Sequence, residues 1–121
     1  MRNWFLLLIL STLPAFAADP APEVDAAFRQ ILTATIENDY DKFITGTDTA
    51  IQATLKKEDL AVVSMKIRSR VEKGYTLFYF GSYQASGHIV HLWKIMFQAG
   101  GDDVLATMSR KDGRISGFYL N

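Results

Sequence analysis

Two histidines are the residues of this chain best suited to chemistry near neutral pH, because the imidazole pKa lies close to 6.5. They are His88 and His91, and the chain has no cysteine. An H-x-x-H spacing brings two imidazoles together on a helix, but on a β-strand it sends them to opposite faces. The surrounding residues predict a strand, so we expect no metal site and no cofactor.

His91 interrupts a predicted strand face that is otherwise apolar, which makes it the leading candidate for the polar group of a pocket. We predict that the pocket takes a small apolar ligand. Its predicted lining is mostly aromatic and consists of His91, Trp93, Phe97, Phe78, Phe80 and Tyr40. The alternative interpretation of His91 is a buried neutral imidazole that is hydrogen-bonded to a helix, or an imidazole that lies at the margin of the sheet.

Carboxylates that could act as bases beside His91 are scarce. No Asp or Glu occurs from Gly74 through Gln98, and the later Asp residues fall in predicted turns. Asp39 and Asp41 remain as catalytic candidates at the end of the first predicted helix. They are equally suited to capping the next helical turn. The sequence therefore favours a non-enzymatic protein, but it does not exclude enzymatic activity.

The first 17 residues have the three zones of a secretory signal peptide. Arg2 is basic, the stretch from Trp4 to Leu13 is mostly apolar, and small residues lie before the predicted cleavage between Ala17 and Ala18. The apolar stretch is well short of the ~20 residues that span a bilayer. We expect cleavage, no stable membrane anchor afterwards, and a mature protein that is periplasmic or secreted.

Charge and cysteine content narrow the class of the mature chain. The sequence has 13 Lys and Arg against 13 Asp and Glu, which argues against nucleic-acid binding. Without disulfides, an exported domain must be held together by its core. The predicted organisation is a signal peptide at 1–17, a flexible spacer at 18–22 and a single α+β domain at 23–121.

The elements that must position these residues are helices first and strands second. Apolar residues recur at helical spacing from Glu23 to about Asn38 and from Glu58 to Glu72, with shorter helical pieces between them. After Gly74, β-branched and aromatic residues predict strands. The predicted strands are residues 75–83, 88–98, 104–109 and 115–120. Helices followed by such a meander predict an α+β fold, with N-terminal helices packed on a four-stranded antiparallel sheet.

This order of elements, together with two short segments, resembles the nuclear transport factor 2-like superfamily, in particular its small exported domains of unknown function. One segment is Asn38-Asp39-Tyr40-Asp41-Lys42-Phe43, which closes the first helix, and the other is the Lys-Asp-Gly-Arg-Ile-Ser-Gly-Phe run from Lys111 to Phe118. The resemblance implies a cone-like roll, whose curved sheet wraps a cavity, and frequent dimerisation through the sheet. Its isomerases and dehydratases place carboxylates in the cavity, which the strands here lack.

Both faces of the predicted central strands are apolar, whereas a sheet covered by helices on one side usually has a polar second face. The second face must then be covered as well. We predict a homodimer through Tyr79, Val90, Leu92 and Met96.

The sequence therefore favours an exported module that binds a small apolar ligand or another protein. One alternative is a cavity enzyme, of the isomerase, dehydratase or hydrolase type, that uses His91 with Tyr or Asp groups. Another is a structural partner of a second exported protein.

Overall fold

Four helices precede a four-stranded sheet in residues 19–121, which are the residues that a computed structural model of the chain describes. The helices are α1 (Pro22–Glu37), α2 (Tyr40–Ile44), α3 (Thr49–Thr54) and α4 (Lys57–Val71). The strands are β1 (Tyr75–Ala85), β2 (His88–Phe97), β3 (Val104–Lys111) and β4 (Arg114–Leu120). They form one open antiparallel sheet in the order β1-β2-β3-β4, which confirms the α+β fold. The predicted leader and its cleavage point lie outside the described residues.

Helix α1 begins inside the segment that the sequence predicted to be a spacer. Pro22 is its first residue, and Ala21 occupies the N-cap position. Proline suits the first helical position, because its ring presets the helical φ angle and the backbone N–H it lacks is unpaired there anyway. The spacer prediction was therefore wrong at Pro22.

Helices α1 and α2 are joined by a C-cap at Asn38 and an N-cap at Asp39. Asn38 ends α1 in the left-handed region, with φ at 56°. Asp39 then begins α2, and its Oδ1 accepts a hydrogen bond from the Lys42 backbone N–H at 3.1 Å. Aspartate at an N-cap satisfies an N–H group that has no partner inside the helix. The chain therefore passes from α1 to α2 with these backbone N–H groups hydrogen-bonded.

Two tight turns lie at the same end of the sheet. The β1–β2 hairpin turns at Ser86 and Gly87, and the β3–β4 hairpin turns at Asp112 and Gly113, all four with positive φ. Turns with two positive φ angles match the right-handed twist of the flanking strands. Strand β1 also carries a bulge between Tyr79 and Gly81, so that Phe80 has no partner on β2.

The core lies between the helices and one face of the sheet. Helix α1 contributes Phe28, Ile31 and Leu32, and the sheet contributes Trp93 and Ile95, all nearly inaccessible to solvent. Among residues 19–121, no helix is both long enough and apolar enough to cross a membrane.

Candidate functional site

The centre of the predicted pocket is filled by side chains. The ring of Trp93 stacks on Phe28 of α1, with ring centroids 3.7 Å apart and planes 6° from parallel. Trp93 is 1% exposed. Phe97 is also buried, and the guanidinium of Arg70 on α4 covers its ring at 4.0 Å from the centroid. These residues act as core, because helices α1 and α4 pack directly onto the face that carries them.

His91 lies at the edge of this core and is hydrogen-bonded to Tyr79. The Tyr79 hydroxyl is 2.9 Å from Nδ1 of His91, and only 8% of the histidine is exposed. Burial lowers the pKa of His91 below its usual 6.5, and the nearby positive charge of Arg110 lowers it further. Desolvation and a like charge both disfavour the protonated ring. The arrangement therefore favours a neutral imidazole whose Nδ1 is occupied by a tyrosine.

The sequence candidates near the first helix do not join His91. Asp39 caps α2, as described above, and the exposed Asp41 lies in the first turn of the same helix. The Tyr40 hydroxyl donates to the Leu55 carbonyl at 2.7 Å, which ties α2 to the end of α3. No hydrogen bond within residues 19–121 links His91 to Asp39, Asp41 or Tyr40. The polar partner that the sheet supplies is Tyr79, which sequence reasoning had assigned to the dimer interface.

The faces of β1 are the reverse of those predicted. Tyr79 pairs with Trp93, so it points toward the helices, whereas Phe78 pairs with Lys94 on the opposite side. Phe78 and Phe80 are 51% and 56% exposed, and their rings contact each other edge to face at 5.2 Å. The assignment of Phe78 and Phe80 to the pocket and of Tyr79 to the interface was wrong. Both alternating sets in β1 are aromatic, so only the register with β2 distinguishes them.

The side of the sheet turned away from the helices is a largely apolar surface, which we call the outer face. Its most prominent side chains are Phe78, Phe80, Tyr83, Leu92, Leu105 and Tyr119. Five of them are at least 39% exposed, whereas Leu92 is half-buried. Val90 and Met96 from the predicted interface also lie on this side, because they alternate with the buried Trp93 and Ile95 along β2. No described helix covers the outer face.

A short chain of hydrogen bonds joins His88 to two serines near the turn end of the outer face. Nδ1 of His88 is 2.7 Å from Oγ of Ser116, which lies 3.1 Å from Oγ of Ser109. No carboxylate extends this chain, and residues 19–121 contain no cluster of three His, Cys, Asp or Glu side chains arranged for a metal. We interpret the contacts as a link between β2, β3 and β4.

A groove of about 500 Å³ remains at the margin of the core, between the start of α1 and strands β1 and β2. Its walls combine aromatic side chains, Tyr79 and Trp93, with charged ones, Asp25 and Arg29. Arg29 Nε donates to Asp25 Oδ2 at 2.9 Å across one helical turn. The groove therefore offers an apolar floor with a charged rim.

A smaller cavity of about 90 Å³ lies among α1, α2 and the β3–β4 hairpin. Its lining includes Gln30, Lys42, Phe43, Arg110 and Gly113. Arg110 donates through Nη2 to the Gly113 carbonyl at 3.2 Å. Its Nε is buried and has no hydrogen-bond partner among residues 19–121. Sequence reasoning missed this residue, because Arg110 adjoins a charged turn and looks like a solvated strand end.

The chain was compared with protein-family models, curated proteins and solved structures. No family model matches the chain, and no curated protein does. The chain is similar to one solved structure among those that match, the solution structure of RPA3114, a SEC-C motif containing protein from Rhodopseudomonas palustris. It is 17% identical, the match covers 78% of this chain and 75% of that one, and the TM-score is 0.45.

These findings correct the family resemblance inferred from the sequence. The assignment to the nuclear transport factor 2-like superfamily was wrong, because no model of that or any other family matches the chain. The two segments that suggested it are now accounted for by an N-cap at Asp39 and a tight turn at Asp112-Gly113. Capping and hairpin chemistry of this kind recurs in many folds.

Proposed function

We propose that the mature chain is an exported, non-enzymatic protein-interaction module, and that a second copy of the chain binds its outer face. The observation that carries the proposal is the exposure of large apolar side chains there. Phe80 is 56% exposed and Tyr119 is 64% exposed, on opposite edges of one continuous surface. Extended apolar patches on soluble proteins mark interaction sites.

The chemistry of the outer face favours a second copy over a charged partner. None of the four strands contains an Asp or a Glu. Lys94 is the charged residue in the middle of the face, and its Nζ lies 5.6 Å from the centroid of the Phe78 ring. An apolar surface is complementary to itself, so a two-fold axis pairs it mainly through apolar side chains and opposes few like charges.

The size of the face suits a dimer. Four strands about 4.8 Å apart, with about eight residues rising ~3.3 Å each, present roughly 19 by 26 Å. That flat area of about 500 Å² is a lower bound on the accessible surface, because side chains project from it, and a specific interface buries at least about 1,000 Å² in total, or about 500 Å² per partner. The open sheet therefore offers enough surface for a stable homodimer.

The test uses protein recovered after export through the host's secretion pathway. Its intact mass should correspond to residues 18–121, and the mass of the full precursor would contradict the leader prediction. Sedimentation velocity should then give a dimer at micromolar concentration. Phe80→Asp should shift it to a monomer, because a buried unpaired carboxylate at an apolar interface costs several kcal/mol.

A matched control separates this effect from a general effect of added charge. Met65 on α4 is 72% exposed and lies away from the sheet, so Met65→Asp should leave the dimer intact. A wild-type protein that is monomeric at high micromolar concentration would overturn the homodimer. A Phe80→Asp variant that remains a dimer would place the interface elsewhere.

A second candidate function is binding of a small ligand in the groove beside Tyr79 and Trp93. The supporting observation is its volume of about 500 Å³, which lies in the range typical of small-molecule sites. Its charged rim at Asp25 and Arg29 suits an amphipathic ligand better than the purely apolar one expected from the sequence. Native mass spectrometry of the exported protein should detect a retained molecule, and a bare protein mass would contradict this function.

A further inference from the structure

The cavity that Arg110 lines has an unbalanced positive charge. Lys42 and Arg110 are both in its lining, and no Asp or Glu is. Lys42 Nζ is 3.4 Å from Oε1 of Glu37, but both side chains of this pair are well exposed to solvent, and Glu37 is not in the lining. Arg110 forms no ion pair with any residue in 19–121. An anion would therefore meet Arg110, which has no ionic partner among the described residues, and Lys42, whose exposed partner Glu37 lies outside the lining.

The guanidinium of Arg110 also has a donor left without a partner. Its Nη2 donates to the Gly113 carbonyl, whereas its Nε is buried and unpaired among the described residues. Buried donors in folded proteins are almost always hydrogen-bonded, so an unpaired one is unusual. A guanidinium carries five N–H donors, so Arg110 has donors besides the one bonded to Gly113, and a charged oxygen in the cavity would accept from them most strongly.

The volume of the cavity limits the ligand to a few heavy atoms. About 90 Å³ is close to three times the ~30 Å³ that one water occupies in the liquid. This volume suits phosphate, sulfate or a small carboxylate. The amide of Gln30, also in the lining, supplies a further neutral hydrogen-bonding group.

We propose that this cavity binds a small oxyanion between Arg110 of the β3–β4 hairpin and Lys42 of α2. The site is independent of the outer face, because Arg110 pairs with Ile115 and Ile89 on the helix side of the sheet. Binding there would join the hairpin to α1 and α2.

The experiment is an NMR titration of the exported protein with inorganic phosphate, and separately with acetate, against chloride at constant ionic strength. Saturable shifts of the backbone amides of Gln30, Lys42 and Gly113 are expected. Tighter binding of phosphate assigns the site to phosphate-like ions, and tighter binding of acetate assigns it to carboxylates; either supports the proposal. No saturable shift at the highest soluble concentration of either ion would overturn it.

Two variants locate the site, with one matched control. Arg110→Gln should weaken binding by about tenfold or more, since charge-assisted hydrogen bonds are the strong ones. Lys42→Gln, on the more exposed helix, should weaken anion binding several-fold. This variant replaces Arg110→Gln as the test if Arg110→Gln fails to fold. Arg114→Gln removes the same charge from the same hairpin, but Arg114 donates to the Thr47 carbonyl and is outside the lining, so binding should persist. Equal loss in all three variants would indicate non-specific charge attraction and overturn the site.

Discussion

The indole of Trp93 and the ring of Phe28 lie 3.7 Å apart and nearly parallel, which fixes helix α1 over the second strand of the sheet. Tyr79 packs beside the indole at 5.1 Å between ring centroids. The face that looked like a ligand pocket from its residue types is thus occupied by a helix side chain.

Replacing Trp93 with Ala should lower the free energy of unfolding by about 3–5 kcal/mol, because it removes a large buried ring and leaves a cavity. Trp93→Phe should cost less, since it retains part of the stacking. Urea unfolding followed by circular dichroism measures both. Tyr119→Ala, on the exposed edge of the outer face, is the control and should change the stability of the monomer little. A small effect of Trp93→Ala would mean that this core is loosely packed.

Stability should fall as the pH drops from about 7 toward 5, because His91 has a lowered pKa in the folded state. The unfolded chain then binds a proton more readily than the folded chain. The stabilisation from the neutral imidazole is present above the unfolded pKa, near 6.5, and is lost as the pH falls through the folded value. Urea unfolding at several pH values checks this slope.

The same slope should be reduced in His91→Gln and retained in His88→Gln, the chain's other histidine. His88 lies on the outer face beside Ser116, so its replacement leaves the buried ring in place. An unchanged slope in His91→Gln would assign the pH dependence to other groups.

Gly117→Ala should destabilise the fold by about 1–2 kcal/mol through crowding. A methyl group at this position would lie 2.6 Å from Oγ of Ser109 and 3.2 Å from the Tyr119 ring. Ser109 is already hydrogen-bonded to Ser116, which limits how it can turn away. Ser109→Ala should therefore partly rescue Gly117→Ala, and a double-mutant cycle by thermal unfolding measures the coupling. Strictly additive effects would contradict the steric explanation.

Arg70→Ala should destabilise the protein by about 1–2 kcal/mol, because the guanidinium covers Phe97 and also donates to the Asp102 carbonyl. Hydrogen exchange should also become faster in the β2–β3 loop that contains Asp102. Lys66→Ala, one turn earlier on α4, is the matched control and should have little effect. If the two variants were equally stable, the basic residues of α4 would matter only as solvated charges.

The sequence predicted the helices and strands well because local patterns determine them. Helical spacing from Glu23 onward corresponds to α1, and Gly74, with φ at 103°, separates α4 from the sheet as a helix stop should. The sequence suggested that Asp39 is either a catalytic residue or a helix cap, and in the structure it is the N-cap of α2. These features depend on neighbours within a few residues, which a sequence displays directly.

The candidate site was harder to predict, since it depends on register between strands. Tyr79 meets His91 because β1 and β2 align in one register, and an aromatic residue on either face of β1 fits the pattern equally well. The unpaired Nε of Arg110 depends on how a hairpin sits against two helices. No spacing in the chain encodes either relationship.

The bulge at Phe80 affects how readily the molecule aggregates at high concentration. Strand β1 is an edge of the open sheet, where an intact ladder of unpaired backbone groups would recruit strands from neighbouring molecules. The extra residue breaks that ladder in two and bends the strand, so an incoming segment can align with only one half of it. The bulge at Phe80 therefore disfavours open-ended, strand-to-strand association along this edge of the sheet, whereas the proposed pairing through the outer face does not use that ladder.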